Sequence, residues 1–193
     1  DPQESETAEV VIEVGNCNNE QPVIIGSDNL TTVEDSLITI ELENLTVVDS
    51  DNEWPNDFSL IVNEGDNYSV DGTVVAPDTD YNGNLLVSVQ VDDGEQINNE
   101  SEIYDITVMV LPVNDAPILD NIENQEISED EVFSMIISAF DIDGDDLEYF
   151  VEIDANAIAG ITDNLLTIAP AQDFFGDIVV NITVTDQEFS DEI

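Results

Sequence analysis

Lysine, arginine and histidine are all missing from a chain that carries 47 aspartates and glutamates, which leaves a formal charge of −47 at neutral pH. No salt bridge between side chains can form. Nucleic acid and anionic membrane surfaces are excluded as partners, because both are gripped by basic residues. The histidine or lysine general base that most proton-transfer and nucleophilic catalysis relies on is absent too, as is every trypsin-type cleavage site. Like charges at this density repel, so divalent cations or high salt must screen the fold. Cysteine occurs once, at Cys17, which excludes an internal disulfide framework. With no histidine to activate it, Cys17 reads as a thiol shielded in a linker. No apolar run is long enough to span a membrane, and Asp1 is expected to be a mature N-terminus left by processing.

What is present argues against an acidic disordered tail, whose composition would be poor in apolar residues. Apolar residues make up 41% of the chain and alternate with polar ones, the period of half-buried strands. Leu85, Val87, Val89 and Val91 alternate in this way, as do Ile178, Val180, Ile182 and Val184, and both runs predict a sixth strand. Ile38, Ile40 and Leu42 predict a second strand, and Ile106, Val108 and Val110 a seventh.

The sequence repeats itself. Pro22-Val23-Ile24 restarts as Pro117-Ile118-Leu119, Val33-Glu34-Asp35 as Ser128-Glu129-Asp130, and Asp49-Ser50-Asp51 as Asp141-Ile142-Asp143. Farther on, Ala76-Pro77-Asp78-Thr79-Asp80-Tyr81-Asn82-Gly83 returns as Ala169-Pro170-Ala171-Gln172-Asp173-Phe174-Phe175-Gly176. A unit of about 95 residues is close to the roughly 100 residues of a seven-stranded immunoglobulin-like sandwich. The frame is shifted within this repeat. Glu4 to Val14 lines up without a gap with Glu100 to Val110, the closing strand of the first unit, whereas the second unit reaches Ile193 just as its own closing strand should begin. The expected architecture is all-β, with residues 1–21 as a donor-type strand and linker, residues 22–113 as one sandwich, and residues 114–193 as a second that lacks its last strand.

Val113-Asn114-Asp115-Ala116-Pro117, Glu129-Asp130-Glu131, Asp141-Ile142-Asp143-Gly144-Asp145-Asp146-Leu147 and Asp173-Phe174-Phe175-Gly176 together resemble the cadherin-like tandem repeats of bacterial surface adhesins and other large extracellular proteins. The resemblance covers nearly the whole chain and implies a calcium-stiffened β rod without fixing a partner. The first unit departs from it with a longer loop, Asp51 to Asp57, and a first linker that reads Asn18-Asn19-Glu20-Gln21-Pro22.

Seven-strand topology is expected to gather the acids at the ends of each sandwich. Glu34 and Asp80 belong to the lower end of the first, Asp141, Asp143 and Asp186 to the upper end of the second, and the linker Asn114-Asp115 passes between them. Asn19, Glu20, Asp49, Asp51 and Asp93 form the matching upper set of the first sandwich, and Glu129 and Asp173 the lower set of the second. Asp57, Asp92, Asp145 and Asp146 are weaker members. Carboxylate and amide oxygens, with no nitrogen or sulfur, are the donors that Ca2+ prefers. Paired carboxylates also serve glycoside hydrolysis, but acids grouped at sandwich ends are better explained as ligands, and no enzyme is expected.

The expected function is therefore that of an extracellular, secreted or cell-surface structural subunit whose partner is another copy of itself. Val10, Ile12 and Val14 of one copy would enter the second sandwich of the next, beside Ile178, Val180, Ile182 and Val184, building a head-to-tail filament. A two-repeat segment of a long calcium-dependent adhesin is the alternative, and a carbohydrate- or receptor-binding module using Trp54 is a further one. Sequons at Asn29, Asn44, Asn67, Asn99 and Asn181 offer glycosylation sites.

Overall fold

The computed structural model describes residues 19–193. Val10, Ile12, Val14 and Cys17 lie outside the described residues. The chain divides at Pro112/Val113 into two compact units. All regular structure among the described residues is strand, apart from one 3-10 turn at Leu42–Asn44, and no helix is long and apolar enough to cross a membrane.

Unit 1 contains β1 (Val23–Ser27), β2 (Leu30–Val33), β3 (Ile38–Thr39), β4 (Leu45–Val48), β5 (Ser59–Val62), β6 (Tyr68–Asp71), β7 (Val74–Pro77), β8 (Gly83–Asp92) and β9 (Tyr104–Leu111). One sheet runs β2-β9-β8-β5 and another β3-β7-β6, with β1 and β4 as a separate pair. All pairings are antiparallel except β2 with β9. Alternation decides which face is inward: Leu85, Val87, Val89 and Val91 on β8, and Ile106, Val108 and Val110 on β9, are all buried. They meet Ile40, Leu45, Val75 and Tyr68 in one core. Burying each such side chain contributes about 1.5–3 kcal/mol.

The second strand expected over Ile38 to Leu42 is split. Asn44 Oδ1 accepts the Glu41 N–H at 2.8 Å, and the Leu45 N–H returns to the Leu42 carbonyl. This tight turn ends the pairing of β3 with β7 and hands the chain on to β4, which pairs with β1.

A close contact fixes one corner of unit 1. Tyr68 Oη donates to the Asn63 carbonyl at 2.8 Å and accepts the Ser88 N–H at 3.2 Å. Its ring lies so near Gly65 that a Cβ there would sit 2.5 Å from Oη. Gly65→Ala must therefore displace a buried ring and its two hydrogen bonds. The expected loss is about 1–3 kcal/mol, read from the urea midpoint of unit 1. A midpoint unchanged from the parent would show that the ring moves at no cost.

Unit 2 contains β10 (Ile118–Leu119), β11 (Phe133–Ile136), β12 (Ala139–Phe140), β13 (Glu148–Ile153), β14 (Ala157–Thr162), β15 (Leu165–Pro170), β16 (Val180–Thr185) and β17 (Ser190–Glu192). Its sheets are β11-β15-β14 and β13-β16-β17, with β10 paired to β12. Leu119, Ile137, Leu166, Ile168, Ile182 and Val184 form its core. Two expectations are corrected here. The sixth strand begins at Val180, so Ile178 lies outside it. The closing strand is not wholly missing, because β17 pairs antiparallel with Thr183–Thr185, and Ile193 and Ile182 exchange backbone hydrogen bonds at 2.9 and 3.0 Å.

Candidate cation sites

At one end of unit 1 three stretches distant in sequence converge. Asn19 is 5% exposed and Asp93 4% exposed, and Asn19 Nδ2 donates to Asp93 Oδ2 and to the Ile97 carbonyl, each at 2.9 Å. The Asn98 amide anchors the Asn19 carbonyl at 3.1 Å. Asp49 Oδ1 accepts the N–H groups of Asp51 and Asn52, both at 2.9 Å, which is why the acids sit two apart in this turn. The Glu20 N–H reaches the Asp51 carboxylate at 3.3 Å. Three oxygens in this group, Asn19 Oδ1, Asp49 Oδ2 and Asn52 Oδ1, are buried without a hydrogen-bond partner.

Unit 2 repeats the main contacts of this arrangement at corresponding positions. Asn114 Nδ2 donates to Asp186 Oδ2 at 2.7 Å, as Asn19 does to Asp93. The Asp115 N–H reaches Asp143 Oδ2 at 2.8 Å, as that of Glu20 does to Asp51. Asp141 is 6% exposed, and its Oδ1 accepts the N–H groups of Asp143, Gly144 and Asp145 at 3.0, 3.1 and 3.3 Å. Its Oδ2 is buried without a partner. One carboxylate oxygen from each of Asp141, Asp143 and Asp145 falls within 4.8 Å of the others.

A buried oxygen with no donor loses its hydration and gains nothing in return. In a chain without cationic side chains, a bound cation is the group able to compensate it. The donor set is all oxygen, mixing carboxylate with amide, as Ca2+ requires, so the residues present fit that ion. The crowding of charge at unit 2 shifts its carboxyls. The Asp145 carboxyl is raised above the ordinary range by partial desolvation and then by the charges of Asp141, Asp143, Asp186 and Asp146. The Asp186 carboxyl is lowered, chiefly because its carboxylate accepts the Phe189 N–H, with Asn114 and the Glu188 N–H adding to the effect.

The opposite ends also match each other, though more simply. In unit 1 the Asp80 N–H donates to Asp35 Oδ1 at 3.3 Å, and Asn82 donates to Glu34, which is 3% exposed. In unit 2 the Asp173 N–H donates to Asp130 Oδ1 at 3.0 Å, while Glu129 is exposed. Asp35 and Asp130 belong to the acidic motifs the sequence marked, whereas Asn52 was not singled out. Asn52 directly follows the Asp49-Ser50-Asp51 pair.

A second feature of unit 2 is a groove of about 600 Å³ lined by Ile127, Glu129, Pro170, Phe174, Phe175 and Ile178, with Phe175 87% exposed on its rim. Of the four expected interface residues in this unit, only Ile178 faces the groove. Val180 packs against the core, and Ile182 and Val184 are buried within it. The sequons at Asn29, Asn67 and Asn181 are exposed and those at Asn44 and Asn99 half-buried. Trp54 is half-buried, its ring set edge-on to Phe58 at 5.2 Å.

Residues 114–192 match the family model described as Bacterial Ig domain. No curated protein sequence matches the chain. Among solved structures the chain is similar to PcdhgB3 EC1-4, at 13% identity and a TM-score of 0.54, over 91% of this chain and 48% of that one. It is also similar to human protocadherin-24 EC1-2 (14% identity, TM-score 0.49, 86% of this chain and 85% of that one) and to the human desmocollin-1 ectodomain (13%, 0.49, 91% and 36%). The chain thus spans about half or less of the longer of these ectodomains. With the sheets described above, the family match over unit 2 and the similarity to PcdhgB3 EC1-4 support an immunoglobulin/cadherin-like fold.

Proposed function

We propose that the chain is a calcium-stabilised structural module of the cell surface or extracellular space, non-enzymatic and of the adhesion type. The observation that carries this reading is that corresponding Asp turns in the two units each bury a carboxylate oxygen without a partner, Asp49 Oδ2 in unit 1, beside Asn19 Oδ1 and Asn52 Oδ1, and Asp141 Oδ2 in unit 2. Asn19, Asp49, Asp51, Asn52 and Asp93 would hold calcium in unit 1, and Asn114, Asp115, Asp141, Asp143, Asp145 and Asp186 in unit 2. The ion supplies the positive charge that no side chain can, and the residues contribute preformed turns that aim their oxygens inward.

We further propose that copies join head to tail by strand donation, the Val10-Ile12-Val14 segment of one filling the groove of the next. The groove beside Ile178 favours this. Each copy then offers one donor and one acceptor, a heterologous contact that propagates. A two-repeat segment of a long adhesin would share the calcium sites but fill the groove from its own continuing chain. The contact of Trp54 with Phe58 favours a packing role for that ring over the sugar-binding alternative. Electron microscopy with intact mass, in calcium and in chelator, tests the whole reading. Filaments of 21.1 kDa subunits that appear in calcium support it, and monomers with no calcium uptake by titration calorimetry sink it.

A further inference from the structure

We infer that β14 of unit 2 is a self-association edge, which pairs antiparallel with β14 of a second copy about a two-fold axis at Ala159. The strand is the outermost of the sheet β11-β15-β14, and no described strand pairs along its other side. Which of its main-chain groups are open follows from its pairing with β15. The Ala171 N–H donates to the Asn156 carbonyl at 2.8 Å, and the register continues as Ile158 with Ala169, Gly160 with Thr167 and Thr162 with Leu165. Hydrogen-bonded and non-hydrogen-bonded pairs alternate along an antiparallel ladder, so these residues turn their N–H and C=O groups to β15. Ala157, Ala159 and Ile161 turn theirs to the open side.

Natural edge strands are guarded against pairing with another chain by charge, proline, a bulge or shortness. β14 has none of these guards: its six residues, Ala157–Thr162, hold neither acid nor proline and pair with β15 without a register shift. The whole sheet, Phe133–Ile136, Ala157–Thr162 and Leu165–Pro170, is free of acidic residues in a chain that has 47 of them. The strand at the same place in unit 1, β6, is shorter and ends on exposed Asp71.

Charge and shape select the occupant. Copies that each carry −47 repel one another, so they can approach only where no carboxylate is brought against another. A basic partner would find no carboxylate to grip from Ala155 to Thr162. With the axis at Ala159, Ala157 pairs with Ile161 of the other copy and Ala159 with its own counterpart, so every main-chain group on the open side is used. Ile158 then lies opposite Gly160, in both directions. Ile158 is 78% exposed, and a Cβ at Gly160 would meet nothing within 4 Å, so each isoleucine fills the space that the other copy's glycine leaves. Asp163 falls opposite Ala155, away from any other acid. The contact is isologous and closes as a dimer.

Cysteine pairing between separate chains tests the register. Chains with Ile158→Cys are mixed with chains carrying Gly160→Cys, both in a Cys17→Ser background, and oxidised. Directly opposed Cβ atoms of a non-hydrogen-bonded pair lie about 4.5 Å apart, which suits a disulfide, so the mixture should yield several times more covalent dimer than either variant alone. Ile158→Glu changes an exposed side chain, so it should leave the fold intact by circular dichroism and weaken association by about tenfold or more in sedimentation. Sodium chloride should strengthen the parent dimer, because it screens the repulsion of the remaining surface. A mixture that cross-links no better than its components overturns the register and the proposal with it. Ile158→Glu chains that associate as the parent does, or a parent that stays monomeric at high salt, overturn the edge contact itself.

Discussion

Millimolar calcium is expected to raise the melting temperature of the chelator-treated protein by on the order of 10 °C. An ion that binds only the folded state, at a hundred times its dissociation constant, contributes about 2.7 kcal/mol. For a domain of this size each kcal/mol moves the midpoint by roughly 4–8 °C. Both units should respond, since each buries a carboxylate oxygen without a partner, Asp49 Oδ2 in unit 1 and Asp141 Oδ2 in unit 2. Asp141→Asn keeps the size of the side chain but removes a charge from the centre of the unit 2 set, so the calcium response of unit 2 should shrink while that of unit 1 persists. Asp49→Asn should do the reverse. Magnesium, which demands shorter octahedral contacts and keeps its waters, should shift the midpoint less. Differential scanning calorimetry reads all of these, and equal midpoints in chelator and calcium would remove the cation assignment.

The second large effect is on assembly. If copies join by strand donation as proposed, deleting residues 1–14 should leave chains that no longer lengthen under conditions in which the parent does, because the donor is then gone. An added strand brings main-chain hydrogen bonds and apolar side chains together, so the loss should be nearly complete. Ile12→Asp should have almost the same effect, since it places a carboxylate in an apolar groove within a chain that has no cationic side chain to pair with it. Light scattering and electron microscopy measure the outcome. Filaments of parental length from the deleted chain would rule out donation, and a native intact mass many times 21.1 kDa would favour the long-adhesin reading.

Much of this was legible in the residues. The alternation along β8 and β9 is strict, and the structure buries the residues it marks, Leu85 to Val91 and Ile106 to Val110. Asp141 and Asp143 stood out because the pair recurs as Asp49 and Asp51 in the first unit, and repetition is a property that sequence carries well. The split of the second strand was harder to see, since Ile38, Ile40 and Leu42 keep the strand period while the Asn44 side chain, outside that pattern, makes the turn. The groove was less legible still. Pro170 and Phe174 of its walls lie in the repeated Ala169–Gly176 stretch, but nothing in the sequence shows that Ile127 comes to face them. Asn52 went unremarked because an amide in a polar loop looks ordinary until its oxygen is found buried.

The four aspartates Asp35, Asp80, Asp130 and Asp173 all have left-handed backbones, with φ of 55°, 58°, 63° and 56°. Glycine enters that region freely, whereas an L-residue with a Cβ is strained there and aspartate is only partly relieved. Asp80→Gly should consequently make unit 1 more resistant to urea in chelator, by relaxing the backbone and removing one negative charge. If Asp80 serves a bound ion, the same change should cost stability once calcium is present. The ranking of parent and variant would then invert between the two solutions, the signature of a trade-off between stability and function.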